Sequence, residues 1–152
     1  MDFRVENKIG VPAPSDALWD VLSDLEGWSA WNPVFVEARG TLGFGATLSL
    51  VERIEGVGER RVQARLGDWV PYSKLVWAEK RGWQFTSTRY VLIDEIAAGS
   101  CIVTTGEIYG GMRGESHYMK HRRALRRACE AMNEALRDQV APPGPERFQQ
   151  QG

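Results

Sequence analysis

The chain has 152 residues, of which 43% are hydrophobic and 26% are charged, a composition typical of one globular domain rather than of a disordered or fibrous chain. The formal net charge of −1 provides no overall attraction for nucleic acid. No apolar run approaches the roughly 20 residues of a membrane-spanning helix, and the N-terminal segment MDFRVENKIG lacks the apolar stretch of a signal peptide. We therefore expect a cytoplasmic protein that has no transmembrane segment and does not bind nucleic acid.

The first quarter of the chain predicts a strand, two short helices and a second strand. The first strand covers about residues 3–11, and the prolines of VPAPS end it. Ser15 is a suitable N-cap for the first helix, and Gly27 is a suitable end for it. Trp28, Trp31 and Pro33 then form a second short helix and a corner, before an apolar strand over about residues 34–38.

Alternating polar and apolar residues predict five further strands, separated by turns rich in glycine and proline. The strands cover about residues 47–54, 61–70, 75–79, 83–96 and 100–109. In the fourth strand, Val62, Ala64 and Leu66 share one face. Because charges within strands usually point to water, we expect the mid-strand charges Arg65, Glu79 and Arg89 to face solvent.

A helical period begins at about Gly114 and continues to Val140. The residues expected on its buried stripe are His117, Tyr118, His121, Leu125, Ala128, Cys129, Met132, Ala135 and Leu136. The residues on the opposite, basic face are Lys120, Arg122, Arg123, Arg126 and Arg127. We interpret this face as solvated; the alternative is contact with anionic lipid headgroups, RNA or another macromolecule.

The last residues, 141–152, are rich in proline, glycine and glutamine and carry little that can pack. We expect them to form a disordered tail after a single domain over residues 1–140. Cys101 and Cys129 lack the spacing of a disulfide framework or a zinc site, and we expect both to be buried thiols.

Several separated segments now agree with one known family. They are VPAPSDALWDVLSDLEGWSAWNP at 11–33, the glycine at Gly45, GSCIVTTGEIYG at 99–110 and RALRRACEAMNEAL at 123–136. Over about residues 3–140 the chain resembles the START-like or SRPBCC superfamily, and within it the bacterial branch of polyketide cyclases and dehydrases. The chain departs from common relatives at Gly110, Gly111 and Gly114, where many of them carry a Phe-rich stretch.

The resemblance implies an α+β helix-grip, or Bet v 1-like, fold. In this fold a seven-stranded curved antiparallel sheet surrounds a long C-terminal helix, and two short helices lie between strands 1 and 2. The enclosed cavity holds lipids, sterols, polyketides or plant hormones in different members. We therefore expect a small, mostly hydrophobic ligand between the sheet and the last helix, bound by a monomer or a homodimer.

The residues predicted to line this cavity are Trp28, Trp31, Thr86, Tyr90, Glu107, Tyr109, Tyr118, His121 and Leu125. For the tryptophans, the alternative is that they belong to the core, with their N–H groups satisfied. A strand assignment that is wrong by one residue would invert the strand positions in this list.

A second hypothesis is an enzyme, a polyketide cyclase/dehydrase-like lyase or isomerase. Glu107 and Tyr109 share one phase of the last strand, so Glu107 or His121 is a candidate general base and Tyr109 a candidate hydrogen-bond donor. The structural alternative is that Glu107 pairs across the sheet with Arg89.

His117 and His121 lie four residues apart on one face of the last helix, with Glu115 near them. A metal site would require a further ligand that the sequence does not identify. We predict neither a metal nor another cofactor.

Overall fold

The computed structural model describes residues 3–141, so the predicted disordered tail lies outside the described residues apart from Ala141. The elements are β1 (Arg4–Val11), α1 (Ser15–Ser23), a 3₁₀ helix (Leu25–Ala30), β2 (Phe35–Arg39), β3 (Thr47–Ile54), β4 (Gly58–Val70), β5 (Lys74–Gly82), β6 (Phe85–Ala97), β7 (Ser100–Gly110) and α2 (Met112–Val140). None of the described helices has the length and apolar character needed to cross a membrane.

The seven strands form one antiparallel sheet in the order β1-β7-β6-β5-β4-β3-β2. Irregular register in β2, β4, β5 and β6 bends the strands, which favours a sheet that curls around α2. The helix packs mainly against β1 and β7, at one edge of the sheet. This architecture confirms the predicted helix-grip fold.

The corner between β1 and β2 differs in detail from the prediction. Ser15 is the first residue of α1 rather than its side-chain cap, and its N–H donates to a Glu95 carboxylate oxygen at 2.7 Å. The helix already ends at Ser23, and Gly27 lies within the 3₁₀ helix. The chain turns early because the Trp28 indole N–H donates to the carbonyl oxygen of Leu22 at 3.0 Å, which folds the second helix back onto the first.

A glycine-dependent contact fixes the start of α2. The helix begins at Met112, and the N–H of Arg113 donates to the carbonyl oxygen of Gln84 at 2.9 Å. Gly111 has φ +80°, and a Cβ on it would overlap the backbone of Gln84. Gly111 therefore lets the helix begin directly against the β5–β6 turn.

One half of the space between sheet and helix, which we call the dry half, contains tightly packed apolar side chains. It is formed by Leu18, Leu22, Val91, Val103, Met132 and Leu136, all of which are buried. They come from α1, β6, β7 and α2, so the dry half joins both helices to the sheet. The predicted buried stripe of α2 is confirmed at Leu125, Cys129 and Leu136.

A buried amide that the sequence analysis missed also holds α2 to the sheet. Asn133 donates to the carbonyl oxygen and to the side-chain oxygen of Asn7 on β1, both at 2.9 Å. Its own side-chain oxygen accepts from the hydroxyl of Thr105 on β7. Because buried polar groups are costly unless they are paired, this network fixes the position of α2 along the sheet edge.

Candidate functional site

The inner face of the sheet, the side that faces α2, carries an ionic cluster of Glu52, Arg60, Glu79, Arg89 and Glu107. These residues come from five different strands, β3 to β7. The cluster replaces the apolar surface that we expected in this half of the interior.

Arg60 forms the outer part of the ionic cluster. Its two terminal nitrogens donate to the two carboxylate oxygens of Glu79 at 2.7 and 2.8 Å, and its Nε donates to Glu52 at 3.0 Å. Such bidentate pairing is the strongest geometry available to an arginine and a carboxylate. The pair therefore covers the deeper part of the cluster.

Arg89 forms the inner part of the ionic cluster, although the sequence predicted that its side chain faces solvent. The guanidinium is 2% exposed, with Nη2 3.2 Å from a Glu107 oxygen and 3.6 Å from a Glu52 oxygen. Arg89 and Glu107 are direct partners in the β6–β7 register, so Glu107 pairs across the sheet with Arg89. The expectation that Arg89 and Glu79 face solvent was wrong, because Glu107 and Glu52 compensate the charge of Arg89 and Arg60 compensates that of Glu79. Arg65 is exposed, as predicted.

Burial and neighbouring charges set the protonation states in the cluster. Burial raises the pKa of Glu52, and the charge of Glu107 raises it further, against the opposing effect of Arg89 and Arg60. Burial alone would lower the pKa of Arg89, but the nearby charge of Glu107 reverses this and raises it. Arg89 therefore remains a cation in the interior.

Two of the predicted catalytic residues, Glu107 and Tyr109, are in direct contact, and the third, His121, reaches Tyr109 only through the ring of His117. The Tyr109 hydroxyl donates to Glu107, and burial together with the Glu107 charge raises the pKa of Tyr109. The Tyr109 ring lies 5.6 Å from the His117 ring and 6.3 Å from the Tyr118 ring, measured between centroids. His121 follows at 4.8 Å from His117. Among the described residues, no cluster of potential ligands fits a metal ion.

The pKa of His117 also depends on burial. Burial lowers it to about 4, and the positive charge of Arg81 and the second imidazole contribute in the same direction. The imidazole is therefore neutral near pH 7, where it packs as a ring against Phe85 and Tyr109.

Two residues predicted to line the cavity lie on the outer face of the sheet instead. Tyr90 crosses Gly106, where a Cβ would overlap the phenol, and its hydroxyl donates to Glu6. Thr86 is exposed on the same face. The prediction was one residue out of phase in β6, where Ser87 and Arg89 face the interior although Arg89 was expected to face solvent.

The predicted tryptophans belong to the core. Trp28 is fully buried, with ring centroids 6.0 Å from Phe35 and 5.8 Å from Trp77, and Trp31 covers it at 6.2 Å. Leu125 is buried in the same hydrophobic core. These side chains occupy the interior that a ligand would need.

The space left inside the ionic cluster is very small. Its volume is about 10 Å³, and its lining includes Glu52, Ser87, Arg89 and Glu107. That volume is close to the minimum for one water molecule. A drug-sized ligand therefore has no room beside Glu107 inside the ionic cluster.

The open space between sheet and helix lies at the rim, where the β3–β4 turn faces α2. We call it the hairpin–helix groove; it has a volume of about 410 Å³. Its lining consists of Pro33, Val34, Arg53, Ile54, Glu55, Gly56, Ala124, Arg127, Ala128 and Ala131. None of the residues predicted to line the cavity is among them.

Small residues create this groove. Ala124, Ala128 and Ala131 lie on one side of α2, where their short side chains leave the space of the groove open. Gly56, with φ +85°, turns the hairpin towards the helix so that a Cβ on it would lie 3.6 Å from that of Ala124. The only sequence signal for the groove was this row of alanines, which also fits an ordinary packed helix.

Comparison with known proteins places the chain in a large structural group. Residues 2–141 match the family model described as polyketide cyclase / dehydrase and lipid transport. No curated protein matches the sequence.

Three solved structures illustrate the similarity of fold. The Zhui aromatase/cyclase from a Streptomyces species has a TM-score of 0.73 at 17% identity, covering 90% of this chain and 92% of that one. Norcoclaurine synthase from Thalictrum flavum has a TM-score of 0.71 at 13% identity, covering 95% and 96%. A START superfamily protein from Mycobacterium smegmatis has a TM-score of 0.60 at 14% identity, covering 86% and 97%.

Proposed function

The chain belongs to the family of polyketide cyclases, dehydrases and lipid transport proteins, and we propose that it binds a small, mostly hydrophobic molecule in the hairpin–helix groove. The observation that carries this proposal is an open groove of about 410 Å³ between sheet and α2, beside an interior that is otherwise filled. Small-molecule sites typically have volumes of about 300–1,000 Å³.

The lining of the groove suits an apolar guest. Pro33, Val34 and Ile54 form one wall, and the alanines of α2 form the other. Transfer of apolar surface from water contributes about 25 cal/mol per Å², so a ligand that buries about 200 Å² gains about 5 kcal/mol. The groove accepts such a ligand without displacing the ionic cluster.

Binding of the neutral dye N-phenyl-1-naphthylamine, followed by its fluorescence, tests the proposal. Ala131→Phe places a ring in the groove and is expected to weaken dye binding about tenfold or more, equivalent to about 1.4 kcal/mol. Ala78→Phe is the matched control, because Ala78 is exposed on β5, away from the groove. Equal affinities of the two variants, or no dye binding by the unmodified protein, would refute the proposal.

A second candidate function is catalysis by the residues at the edge of the ionic cluster. The contact between Glu107 and Tyr109, with neutral His117 beside them, favours a lyase or isomerase of the polyketide cyclase type. Glu107 is 3% exposed and paired with Arg89, which favours a structural role. Glu107→Gln separates the two functions through turnover. A catalyst loses turnover while its ligand still binds, whereas a pure binding protein has no turnover to lose and keeps its dye affinity.

The remaining expectations concern assembly and location. We propose that the protein works as a monomer or a homodimer in the cytoplasm, with the small molecule as its partner. Light scattering at several protein concentrations distinguishes the two assembly states, and fractionation of the native host tests the location.

A further inference from the structure

A second depression adjoins the hairpin–helix groove on the surface of α2. We call it the basic groove; it has a volume of about 330 Å³. Its lining consists of Gly56, Met119, Lys120, His121, Arg122, Arg123, Ala124 and Arg127. Gly56, Ala124 and Arg127 line both grooves, so a mainly apolar space opens directly into a cationic one.

No described carboxylate lines the basic groove, although Glu55 lines the adjoining hairpin–helix groove together with Arg127. Four lysine and arginine side chains line the basic groove. None of the four forms an ion pair with a described residue, whereas Arg53 at the edge of the other groove pairs with Glu59 at 2.7 Å. Arg123 and Arg127 are one helical turn apart, where like charges repel.

From this juxtaposition, and resting on the proposed function, we infer that the ligand is a single-chain amphiphile with a carboxylate head. Its hydrocarbon chain lies in the hairpin–helix groove, and its carboxylate lies in the basic groove between Arg123 and Arg127. Arginine binds carboxylates through two parallel hydrogen bonds, and an anion between the two guanidinium groups removes their repulsion.

Other anions fit the surface less well. RNA binding typically uses aromatic side chains on which bases stack, and His121 is the only aromatic ring in the lining of the basic groove. An anionic membrane would contact the basic side chains, but it would leave the adjacent apolar groove empty. A free amphiphile uses both spaces at once.

Isothermal titration calorimetry with dodecanoate below its micelle concentration tests the inference. Dodecanol and dodecyltrimethylammonium provide the same chain with a neutral and a positive head. We expect dodecanoate to bind about tenfold tighter than dodecanol, as charge-assisted hydrogen bonds allow, and the cation to bind weakest. Added salt is expected to reduce this preference because the head lies near water.

Two charge-matched double variants locate the head group. Arg123→Gln with Arg127→Gln is expected to abolish the preference for dodecanoate over dodecanol. Arg65→Gln with Arg126→Gln removes the same charge from exposed positions outside both grooves and is expected to retain it. Equal losses in the two variants would indicate a general effect of net charge and would overturn the inference.

Further outcomes separate this inference from the proposed function. If the neutral dye binds normally but dodecanoate binds no better than dodecanol, the inference fails and the proposed function stands. If neither binds, both fail. Binding to phosphatidylglycerol vesicles without binding of free dodecanoate would overturn the inference in favour of a membrane surface.

Discussion

The two halves of the interior are filled by side chains of opposite character, one apolar and the other ionic. The dry half fills the space between sheet and helices with aliphatic side chains from α1, β6, β7 and α2. The other half fills it with arginine–glutamate pairs, whose buried members are 2–4% exposed at Arg89, Glu107 and Glu52. Both halves are closed, and the open space between sheet and helix lies at the rim, at the β3–β4 turn and α2.

The comparison also indicates why the open space lies in an external groove and not in the internal cavity that the sequence led us to expect. Aliphatic side chains exclude a guest by occupying volume, whereas the ionic cluster excludes it because its charges would have to be separated or left unpaired. Entry of an apolar molecule into the ionic half is therefore unfavourable even if the side chains move.

The largest effect is expected in the ionic cluster. Arg89→Met leaves Glu107 without its buried counter-charge and leaves Glu52 with Arg60 alone. It should reduce the free energy of unfolding by about 3–5 kcal/mol, measured by urea denaturation at pH 7. Adding Glu107→Gln, which removes the charge but still accepts from Tyr109, should recover much of the loss. If the double variant is less stable than Arg89→Met alone, the cluster is not held by these charges.

A truncation in the dry half gives a comparable but charge-independent effect. Leu136 is 1% exposed, and Leu136→Ala should cost about 2–4 kcal/mol because it leaves a cavity next to the helix. The same loss is expected at pH 5 and pH 8, since no titratable group is removed. A loss that varies strongly between these pH values would mean that the two halves are not independent.

The smallest effect concerns His117, which lies beside the ionic cluster. The folded state holds its pKa at about 4, below the ordinary 6.5, so its contribution to stability is complete above pH 6.5 and is lost as the pH falls towards 4. His117→Phe should remove about 1 kcal/mol of this acid sensitivity, a value reduced for partial exposure. Unfolding curves of both proteins at pH 8 and pH 4.5 measure the difference, and equal acid sensitivity would contradict it.

The fold was predictable because most segments carry a single consistent period. In β4, Val62, Ala64 and Leu66 alternate with exposed polar residues, and the structure confirms this face. In β7, Thr105, Glu107 and Tyr109 share one phase and all three are buried. The fold was further supported by the family resemblance.

The interior chemistry was less predictable because it depends on partners far apart in sequence. Arg89 faces inwards because Glu107, 18 residues later, and Glu52, on a different hairpin, both compensate it. A rule that sends strand charges to solvent cannot anticipate such pairs. Tyr90 shows the converse: it is an aromatic residue on the outer face, accommodated there by the missing side chain of Gly106.

The groove was missed for a different reason. It is defined by what is absent from the helix surface, since Ala124, Ala128 and Ala131 carry only methyl groups where larger side chains would fill the space. Alanine is also the best helix former, so its presence in a helix has an ordinary explanation. These alanines belong to a candidate site only because space remains between the β3–β4 hairpin and the helix, and the sequence alone does not show that space.

The most direct test of the central claim is NMR of protein labelled at its alanine methyl groups, titrated with N-phenyl-1-naphthylamine. The account predicts that the signals of Ala124, Ala128 and Ala131 shift in proportion to bound dye, while that of Ala64, inside the sheet, stays in place. Shifts that centre on Ala64, together with changes at the indole signal of Trp77 next to the ionic cluster, would place the ligand inside the sheet and contradict the account.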